Sequence, residues 1–130
     1  MIVDSSVIVA ILKREHDAAI FSRILEETTK LSMSAATYFE TCLVIDGMKD
    51  ESLSKWLDDL MLRAQIEIVP VTVDQARIAR QAYRNFGKGS GHKAGLNFGD
   101  CFSYALAKDK REPILFKGDD FQHTDLRTAV

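Results

Sequence analysis

The sequence has no strong excess of charge of either sign. Its 130 residues include 17 lysines and arginines against 19 aspartates and glutamates, which gives a formal net charge of −2 at pH 7. Proteins that hold nucleic acid by bulk charge alone are strongly basic, so the composition excludes that class. Any polyanion that this protein binds therefore requires a local basic surface, a bound cation, or both.

Long apolar runs and cysteines with metal-ligand spacing are also absent. No apolar run approaches the roughly 20 residues of a transmembrane helix, and Met1–Asp4 lacks the basic region and long apolar segment of a signal peptide. Cys42 and Cys101 both lie in apolar helical contexts, where buried free thiols are expected. These absences predict a cytoplasmic protein that does not associate with a membrane.

The remaining composition is that of an ordinary soluble protein, with 46% hydrophobic and 28% charged residues. At this length we expect one domain over residues 1–130, large enough to bury a core. No internal repeat, low-complexity tract or domain boundary interrupts the chain.

Short β-branched or alternating runs alternate with helical patterns along the chain. The patterns predict strands at residues 1–3, 31–34, 66–71, 113–116 and 126–130. They predict helices after Asp4 and at about residues 16–27, 35–49, 51–63, 73–86 and 96–108, with Ala19, Ile20, Tyr83 and Phe98 facing the interior. This alternation favours a mostly parallel sheet with helices on both faces, and ligands of such sheets bind beyond the carboxyl ends of the strands.

The segment Leu96–Lys108 is the most informative of the helical patterns. Its apolar residues recur at helical spacing around most of the circumference: Phe98, Cys101, Phe102, Ala105 and Leu106. Such a helix belongs inside a domain, yet it carries Asp100 in its first turn. Asn97 can cap this helix, and an acid three residues later suits the free backbone N–H groups there. From this segment alone, a capping role and a functional role for Asp100 both stay open.

Other carboxylates fall at matching places. Asp4 follows the first strand, and Asp119 and Asp120 follow the strand at 113–116, so all three lie at the ligand-binding edge of the sheet. Glu40 lies among largely apolar helical neighbours, at a position where Leu or Met would be expected. Ionised carboxylates are rarely buried unless they are paired or bound to a cation.

Several acids that converge without Arg or Lys partners would repel one another and raise one another's pKa values. A divalent cation removes that difficulty, because Mg²⁺ or Mn²⁺ prefers carboxylate and water oxygens. An ion held in this way can activate water and neutralise charge on a phosphodiester. Structural alternatives exist for single acids: Asp4 can cap the first helix, although Ser5 and Ser6 can do so equally well, and Asp119 can stand at a turn.

The loop at residues 87–95 is rich in glycine and carries positive charge. A phosphate-contacting rim beside the acids is one interpretation, and a solvated loop is the other; the rim would comprise Arg84, Lys88, His92 and Lys93. The loop lacks the GxxxxGK[ST] pattern of a nucleotide cradle. The three histidines share no ligand spacing, so we expect them to be exposed: His16, His92 and His123.

Four of these segments together resemble the PIN domain, and specifically the VapC-type ribonuclease toxins of bacterial toxin–antitoxin pairs. The segments are Met1–Ser6 with Asp4, the helix with Glu40, Leu96–Cys101 with Asp100, and Phe116–Phe121 with Asp119 and Asp120. The resemblance covers the whole chain. It implies an α/β fold, a PIN-like three-layer α/β/α sandwich with a mostly parallel central sheet.

The resemblance also implies an activity, which is Mg²⁺- or Mn²⁺-dependent endonucleolytic cleavage of RNA, either single-stranded RNA or tRNA. Asp4 and Asp100 would be the principal metal ligands, and Glu40 would complete the acidic cluster directly or through water. The fourth acid would be Asp119 or Asp120, and we expect Asp119. Ser5 or Ser6 would hydrogen-bond a metal-bound water or a phosphate oxygen.

The partners that the resemblance implies are a cognate VapB-like antitoxin that blocks the site, a second copy of the chain in a homodimer, and operator DNA bound only through the antitoxin.

Two other functions compete with that of a ribonuclease toxin. A haloacid-dehalogenase-like phosphatase also has an acid after its first strand, but it needs a second Asp where this chain has Ser6. A non-catalytic PIN-like binding module would gain nothing from unneutralised buried acids.

Overall fold

The computed structural model describes the whole chain, Met1–Val130, as four strands and six α-helices. The strands are β1 (Ile2–Val3), β2 (Leu31–Ser34), β3 (Ile66–Val69) and β4 (Ile114–Leu115). The helices are α1 (Ser5–Leu12), α2 (Ala18–Glu27), α3 (Ala35–Asp46), α4 (Glu51–Arg63), α5 (Val73–Phe86) and α6 (Phe98–Lys110). Short 3₁₀ turns lie at Lys88–Ser90 and Phe121–His123.

The four strands form one parallel sheet in the order β3-β2-β1-β4. Strand β1 is central, and Ile2 pairs with Ser32 on one side and with Ile114 on the other. The backbone N–H of Asp4 donates to the carbonyl of Leu115 at 3.0 Å, so the β1–β4 pairing continues to the first acid. This topology places Asp4 in the middle of the carboxyl edge of the sheet.

Two apolar clusters lie on the two faces of the sheet, because successive side chains of a strand point to opposite faces. Val3 and Leu115 belong to one cluster, which α1 to α4 cover, whereas Ile2 and Ile114 belong to the other. Helices α5 and α6 cover that second face, with side chains such as Leu106 fully buried. The predicted three-layer α/β/α arrangement is confirmed.

Side-chain caps fix where most helices begin. Asp4, Ser34, Asp50, Thr72 and Asn97 each accept a hydrogen bond from a backbone N–H in the first turn of the following helix. The predicted bounds of α4 and α5 are confirmed. Helix α3 ends at residue 46 rather than 49, and β3 ends at residue 69 because proline follows it and has no N–H for the ladder.

The predicted strand at residues 126–130 is wrong. This segment makes a single isolated bridge, between Thr128 and Ile114. Strand β4 is only two residues long, and Ile114 alone exchanges hydrogen bonds with Arg127 and Ala129 on that edge. The pairing therefore ends after one residue.

Several side chains predicted to face the interior are exposed. In α2 the buried residues are Phe21 and Leu25, a stripe displaced by one position from the predicted one, so Ala19 is exposed and Ile20 is 59% exposed. Helix α5 packs through Ala79 and Ala82, which leaves Tyr83 44% exposed beside them. Phe98 is the first residue of α6 and is 79% exposed.

Both cysteines are free; Cys101 is buried and Cys42 is half-buried. None of the six helices combines the length and the apolar character that crossing a membrane would require.

Candidate active site

Asp4 is a buried carboxylate with neutral hydrogen-bond partners. Its side chain caps α1, and the residue is only 4% exposed. Oδ2 accepts from the backbone N–H of Ser6 at 3.1 Å and from the hydroxyl of Ser6 at 2.7 Å. Oδ1 accepts from the hydroxyl of Ser103 at 2.6 Å. These donors hold both oxygens in place, but none of them carries a positive charge that would cancel that of Asp4.

Glu40, in α3, is half-buried close to Asp4. Its Oε1 accepts a hydrogen bond from the hydroxyl of Ser5 at 3.1 Å. Burial raises the pKa of Glu40, the hydrogen bond from Ser5 partly offsets this, and the negative charge of Asp4 adds to it. The apolar neighbours Leu43 and Val44 are exposed, so Glu40 does not lie within a buried apolar face as the sequence suggested.

Asp100 both starts α6 and belongs to the same acidic group. The N–H of Asn97 donates to its Oδ2 at 3.0 Å, and its own N–H donates to Oδ1 of Asn97 at 2.9 Å, which completes a capping box. Burial raises the pKa of Asp100 to about 7, against the hydrogen bond from Asn97, and the charges of Asp4, Asp120 and Glu40 contribute. The capping role and a place among the acids therefore coexist in one side chain.

The structure brings Asp120, rather than Asp119, to these three acids. Partial desolvation and the charges of Asp4 and Asp119 raise the pKa of Asp120, while Lys88 and His123 oppose the shift. Asp119 is exposed, and its Oδ1 accepts from the amide of Gln122 at 3.1 Å. The charge of Asp120 is among the causes that raise the pKa of Asp100.

No lysine or arginine forms an ion pair with any of these acids, which we call the acidic cluster: Asp4, Glu40, Asp100 and Asp120. Lys117 follows β4 closely, but its ammonium group pairs with Glu15 and Asp17 instead. The cluster thus combines desolvation with mutual repulsion, and nothing within it neutralises the charge.

The donor set suits a hard divalent cation, because it is anionic and offers only oxygen atoms. Desolvation first, and then the charges of neighbouring carboxylates, raise the pKa values of Glu40, Asp100 and Asp120, and a bound cation would offset both effects. No three acidic, histidine or cysteine side chains converge closely enough to hold an ion in the arrangement described. Coordination would therefore draw the carboxylates closer together than they lie here.

A family model for the PIN domain matches residues 1–126. Ribonuclease VapC28 of Mycobacterium tuberculosis is 52% identical over 130 residues, which cover 100% of this chain and 98% of that protein. Ribonuclease VapC30 of the same species is 50% identical with the same coverage. The chain belongs to the PIN-domain family and, within it, to the VapC ribonucleases.

Solved PIN-domain structures share the fold at low sequence identity. The VapC20 toxin of M. tuberculosis has a TM-score of 0.73 at 16% identity, covering 96% of this chain and 95% of that one. The VapBC2 complex of Rickettsia felis has a TM-score of 0.74 at 12% identity, covering 98% and 94%. The predicted PIN-like fold is confirmed.

The predicted basic rim of this PIN domain is only partly assembled. Lys88 is close enough to act electrostatically on Asp120. The imidazole ring of His92 makes its contacts close to its own loop: Nδ1 accepts a hydrogen bond from the N–H of Ala94 at 3.0 Å, and the ring packs edge-on against Phe86. Arg84 and Lys93 are exposed and form no ion pair.

Of the three histidines predicted to be exposed, only His16 is. His92 is half-buried against the ring of Phe86. His123 is half-buried in the 3₁₀ turn that follows Asp120, and its charge acts on that acid.

Sequence reasoning missed three residues that shape the site. Ser103 and Thr37 are buried hydroxyl residues linked to Asp4, and Gly99 lies directly against the carboxylate of Glu40. A signal for Ser103 was present, because a residue three positions after Asp100 shares its helix face. No comparable signal identifies Gly99, since its importance depends on contact between α3 and α6.

Replacing Gly99 by alanine tests this close contact. A Cβ there would lie 2.0 Å from Oε2 of Glu40, the movable end of a flexible side chain. Because Gly99 is the second residue of α6 and the side chain that the Cβ meets can move, we expect Gly99→Ala to unfold about as easily as the parent in urea. Displacement of Glu40 should lower ribonuclease activity by about tenfold to a hundredfold.

Gly89→Ala is the matched control, because the added Cβ would meet only the hydroxyl oxygen and one ring carbon of Tyr83, at ordinary distances of 3.5 and 3.9 Å. Equal activity of the Gly99→Ala and Gly89→Ala proteins would contradict the importance of the contact with Glu40.

The raised pKa of Asp100 predicts a pH-dependent stability in a chelator. The stability linked to this group is fully present below the usual carboxyl pKa and is lost as pH rises through about 7. At pH 8, Asp100→Asn should therefore be more stable than the parent by about 1–2 kcal/mol after allowance for solvent screening. Urea unfolding at pH 8 and pH 5 measures this difference, which should shrink at the lower pH; a difference independent of pH would contradict it.

Proposed function

We propose that this protein is a metal-dependent endoribonuclease, the toxin of a VapBC-like toxin–antitoxin pair. The observation that carries the proposal is the acidic cluster at the carboxyl edge of the parallel sheet: Asp4 is buried, Glu40 and Asp100 are half-buried, and no lysine or arginine forms an ion pair with the cluster. The curated relatives that are about 50% identical to this chain are named ribonucleases. In this proposal Asp4 and Asp100 bind Mg²⁺ or Mn²⁺, and Glu40 completes the site directly or through water.

A bound divalent ion would supply the activation of water and the neutralisation of charge at phosphorus. The residues of the chain hold the carboxylates in position for this. Ser6 fixes Asp4 with its N–H and its hydroxyl, and the hydroxyl also accepts from the N–H of Lys117 at 2.9 Å. The one proton of the Ser6 hydroxyl is therefore donated to Asp4. Ser5, whose hydroxyl now donates to Glu40, is the serine that can turn its proton to a water or a phosphate oxygen.

We assign the role of fourth acid to Asp120, because its charge acts on Asp100 and because partial desolvation and the charge of Asp4 raise its own pKa. Lys88 is the candidate phosphate contact of the basic rim, since it lies within electrostatic reach of Asp120. In a protein with a net charge of −2, such a local cation adds to the attraction that a bound metal exerts on an RNA backbone.

The proposal includes a VapB-like antitoxin and a homodimer, with operator DNA bound only through the antitoxin. The related VapBC2 complex of Rickettsia felis was crystallised with a DNA fragment from its promoter. Large apolar side chains on the surface, such as Phe39, Leu43 and Phe98, support protein partners. The two free thiols agree with the proposed cytoplasmic location, where single-stranded RNA or tRNA would be the substrate.

No observation favours the phosphatase alternative. Ser6 stands two residues after Asp4, and its hydroxyl donates to Asp4 where that class carries a second acid. A non-catalytic module is disfavoured because burying unneutralised acids destabilises a scaffold.

Substitutions in the acidic cluster test the proposal on single-stranded RNA or tRNA with Mg²⁺. Asp4→Asn and Asp100→Asn should each reduce cleavage by about a thousandfold or more, because each removes a charged metal ligand. Asp120→Asn should reduce it about tenfold to a hundredfold, whereas the adjacent Asp119→Asn should stay within about twofold. Gel analysis of labelled RNA measures all four variants; full activity in EDTA would refute metal dependence, and a larger loss in Asp119→Asn would reverse the assignment of the fourth acid.

Metal binding should also stabilise the fold, and more so at high pH. Protons compete with the ion for Asp100, whose pKa is raised to about 7, so Mn²⁺ should raise the unfolding temperature more at pH 8 than at pH 5.5. At a hundredfold excess over its Kd the ion adds about 2.7 kcal/mol. Calorimetry with Asp100→Asn as the control checks this; an equal shift in that variant would place the ion elsewhere.

A further inference from the structure

Behind Asp4, on the side of the carboxylate turned to α3 and α6, lie two hydroxyl groups that the function above does not use. Ser103 of α6 is 0% exposed, and its Oγ donates to Oδ1 of Asp4 at 2.6 Å. Thr37 of α3 is 1% exposed, and its Oγ1 lies 3.1 Å from Oγ of Ser103. The three side chains thus form a continuous buried row of polar atoms.

Proton counting gives this row a direction. A serine or threonine hydroxyl has one proton to donate, and an ionised carboxylate only accepts. Ser103 donates its one hydroxyl proton to Oδ1 of Asp4, so in the contact between Thr37 and Ser103 the donor must be Thr37. Hydrogen bonds arranged head to tail in a low-dielectric interior polarise and strengthen one another. The row ends on the negatively charged carboxylate of Asp4, so the polarised hydrogen bonds stabilise that charge.

The other oxygen of Asp4 receives a second chain of the same kind. The N–H of Lys117 donates to Oγ of Ser6 at 2.9 Å, and that hydroxyl donates to Oδ2 of Asp4 at 2.7 Å. The carboxylate cannot rotate about its Cβ–Cγ bond without breaking bonds from both chains. Its plane is therefore fixed before any ion binds.

The chain through Thr37 and Ser103 also links the elements that carry the other acids. Thr37 lies three residues before Glu40 on α3, and Ser103 lies three residues after Asp100 on α6, so each hydroxyl shares a helix face with one acid. A core position needs no hydroxyl for packing, and burying one without a partner is costly. The only polar partners of this hydroxyl pair are each other and Asp4.

We propose that Thr37 and Ser103 are positioning residues, which orient the Asp4 carboxylate through a directed chain of buried hydroxyl groups from Thr37 to Ser103 to Asp4. The inference rests on the proposed function in so far as Asp4 binds the metal. Ser103 acts on Asp4 directly, and Thr37 acts only through Ser103.

The test measures Mn²⁺ affinity by electron paramagnetic resonance and RNA cleavage by kcat and KM. Ser103→Ala should weaken Mn²⁺ binding about tenfold and lower kcat by a similar factor at unchanged KM for RNA, as outer partners of metal ligands typically do. Thr37→Val, which keeps the shape of the side chain, should weaken binding about threefold to tenfold. Thr37→Ser keeps the hydroxyl and should stay within about twofold of the parent.

Two comparisons separate orientation from packing. Thr41→Val is the matched control, because Thr41 is equally buried on α3 and donates only to the carbonyl of Thr37 in its own helix; it should leave Mn²⁺ affinity unchanged. In the Ser103→Ala background, Thr37→Val should have no further effect, since its route to Asp4 is gone. Additive losses, or an equal loss in Thr41→Val, would overturn the proposal.

A metal-free measurement distinguishes failure of this inference from failure of the proposed function. The ¹³C signal of the Asp4 carboxyl in a chelator should shift in Ser103→Ala and Thr37→Val but not in Thr41→Val. If the parent binds no Mn²⁺ while these shifts occur, the proposed metal site is refuted and the hydroxyl chain stands. If the carboxyl signal is the same in all variants, the hydroxyl chain is refuted.

Discussion

Unbalanced negative charge at the carboxyl end of β1 is the constraint on which the rest of this structure depends. Asp4 is almost completely buried, and it lies close to Glu40, Asp100 and Asp120 without a lysine or arginine among them. Keeping such a group together costs free energy, which the surrounding fold must offset. The sheet, the helix caps and the buried hydroxyl groups all help to offset this cost, because they hold the acids in position.

The positive charge of Lys117 is directed away from the acidic cluster. Lys117 would be the obvious counter-ion from its place after β4, but its ammonium group is held by Glu15 and Asp17. Only its backbone N–H serves the site, through Ser6. The acidic cluster therefore stays available to a cation from solution, which is the property a metal-dependent nuclease requires.

The sequence predicted the architecture well because the periodic patterns, the caps and the β-branched runs are local features. The helix bounds at Glu51–Arg63 and Val73–Phe86, and the parallel order of elements, follow from such signals. The predicted burial of Ile20 and Phe98 was wrong because burial depends on which helices pack against each other. An apolar helix face displaced by one residue has nearly the same periodicity in the sequence. The strand predicted at residues 126–130 does not form, because only Ile114 of the two-residue strand β4 pairs with this segment.

Within the candidate site, strand ends and a helix start made Asp4, Asp100, Asp119 and Asp120 candidates from the sequence, and apolar helical neighbours made Glu40 one. The sequence analysis favoured Asp119 over Asp120, which differ by one residue in a turn. Ser103, Thr37 and Gly99 matter through contacts between α3, α6 and β1, which no single segment reveals. The four acids come from four separate segments, and Asp120 is the last of them in chain order. A chain still being synthesised on the ribosome therefore carries an incomplete acidic cluster until Asp120 has been added and β4 has paired with β1.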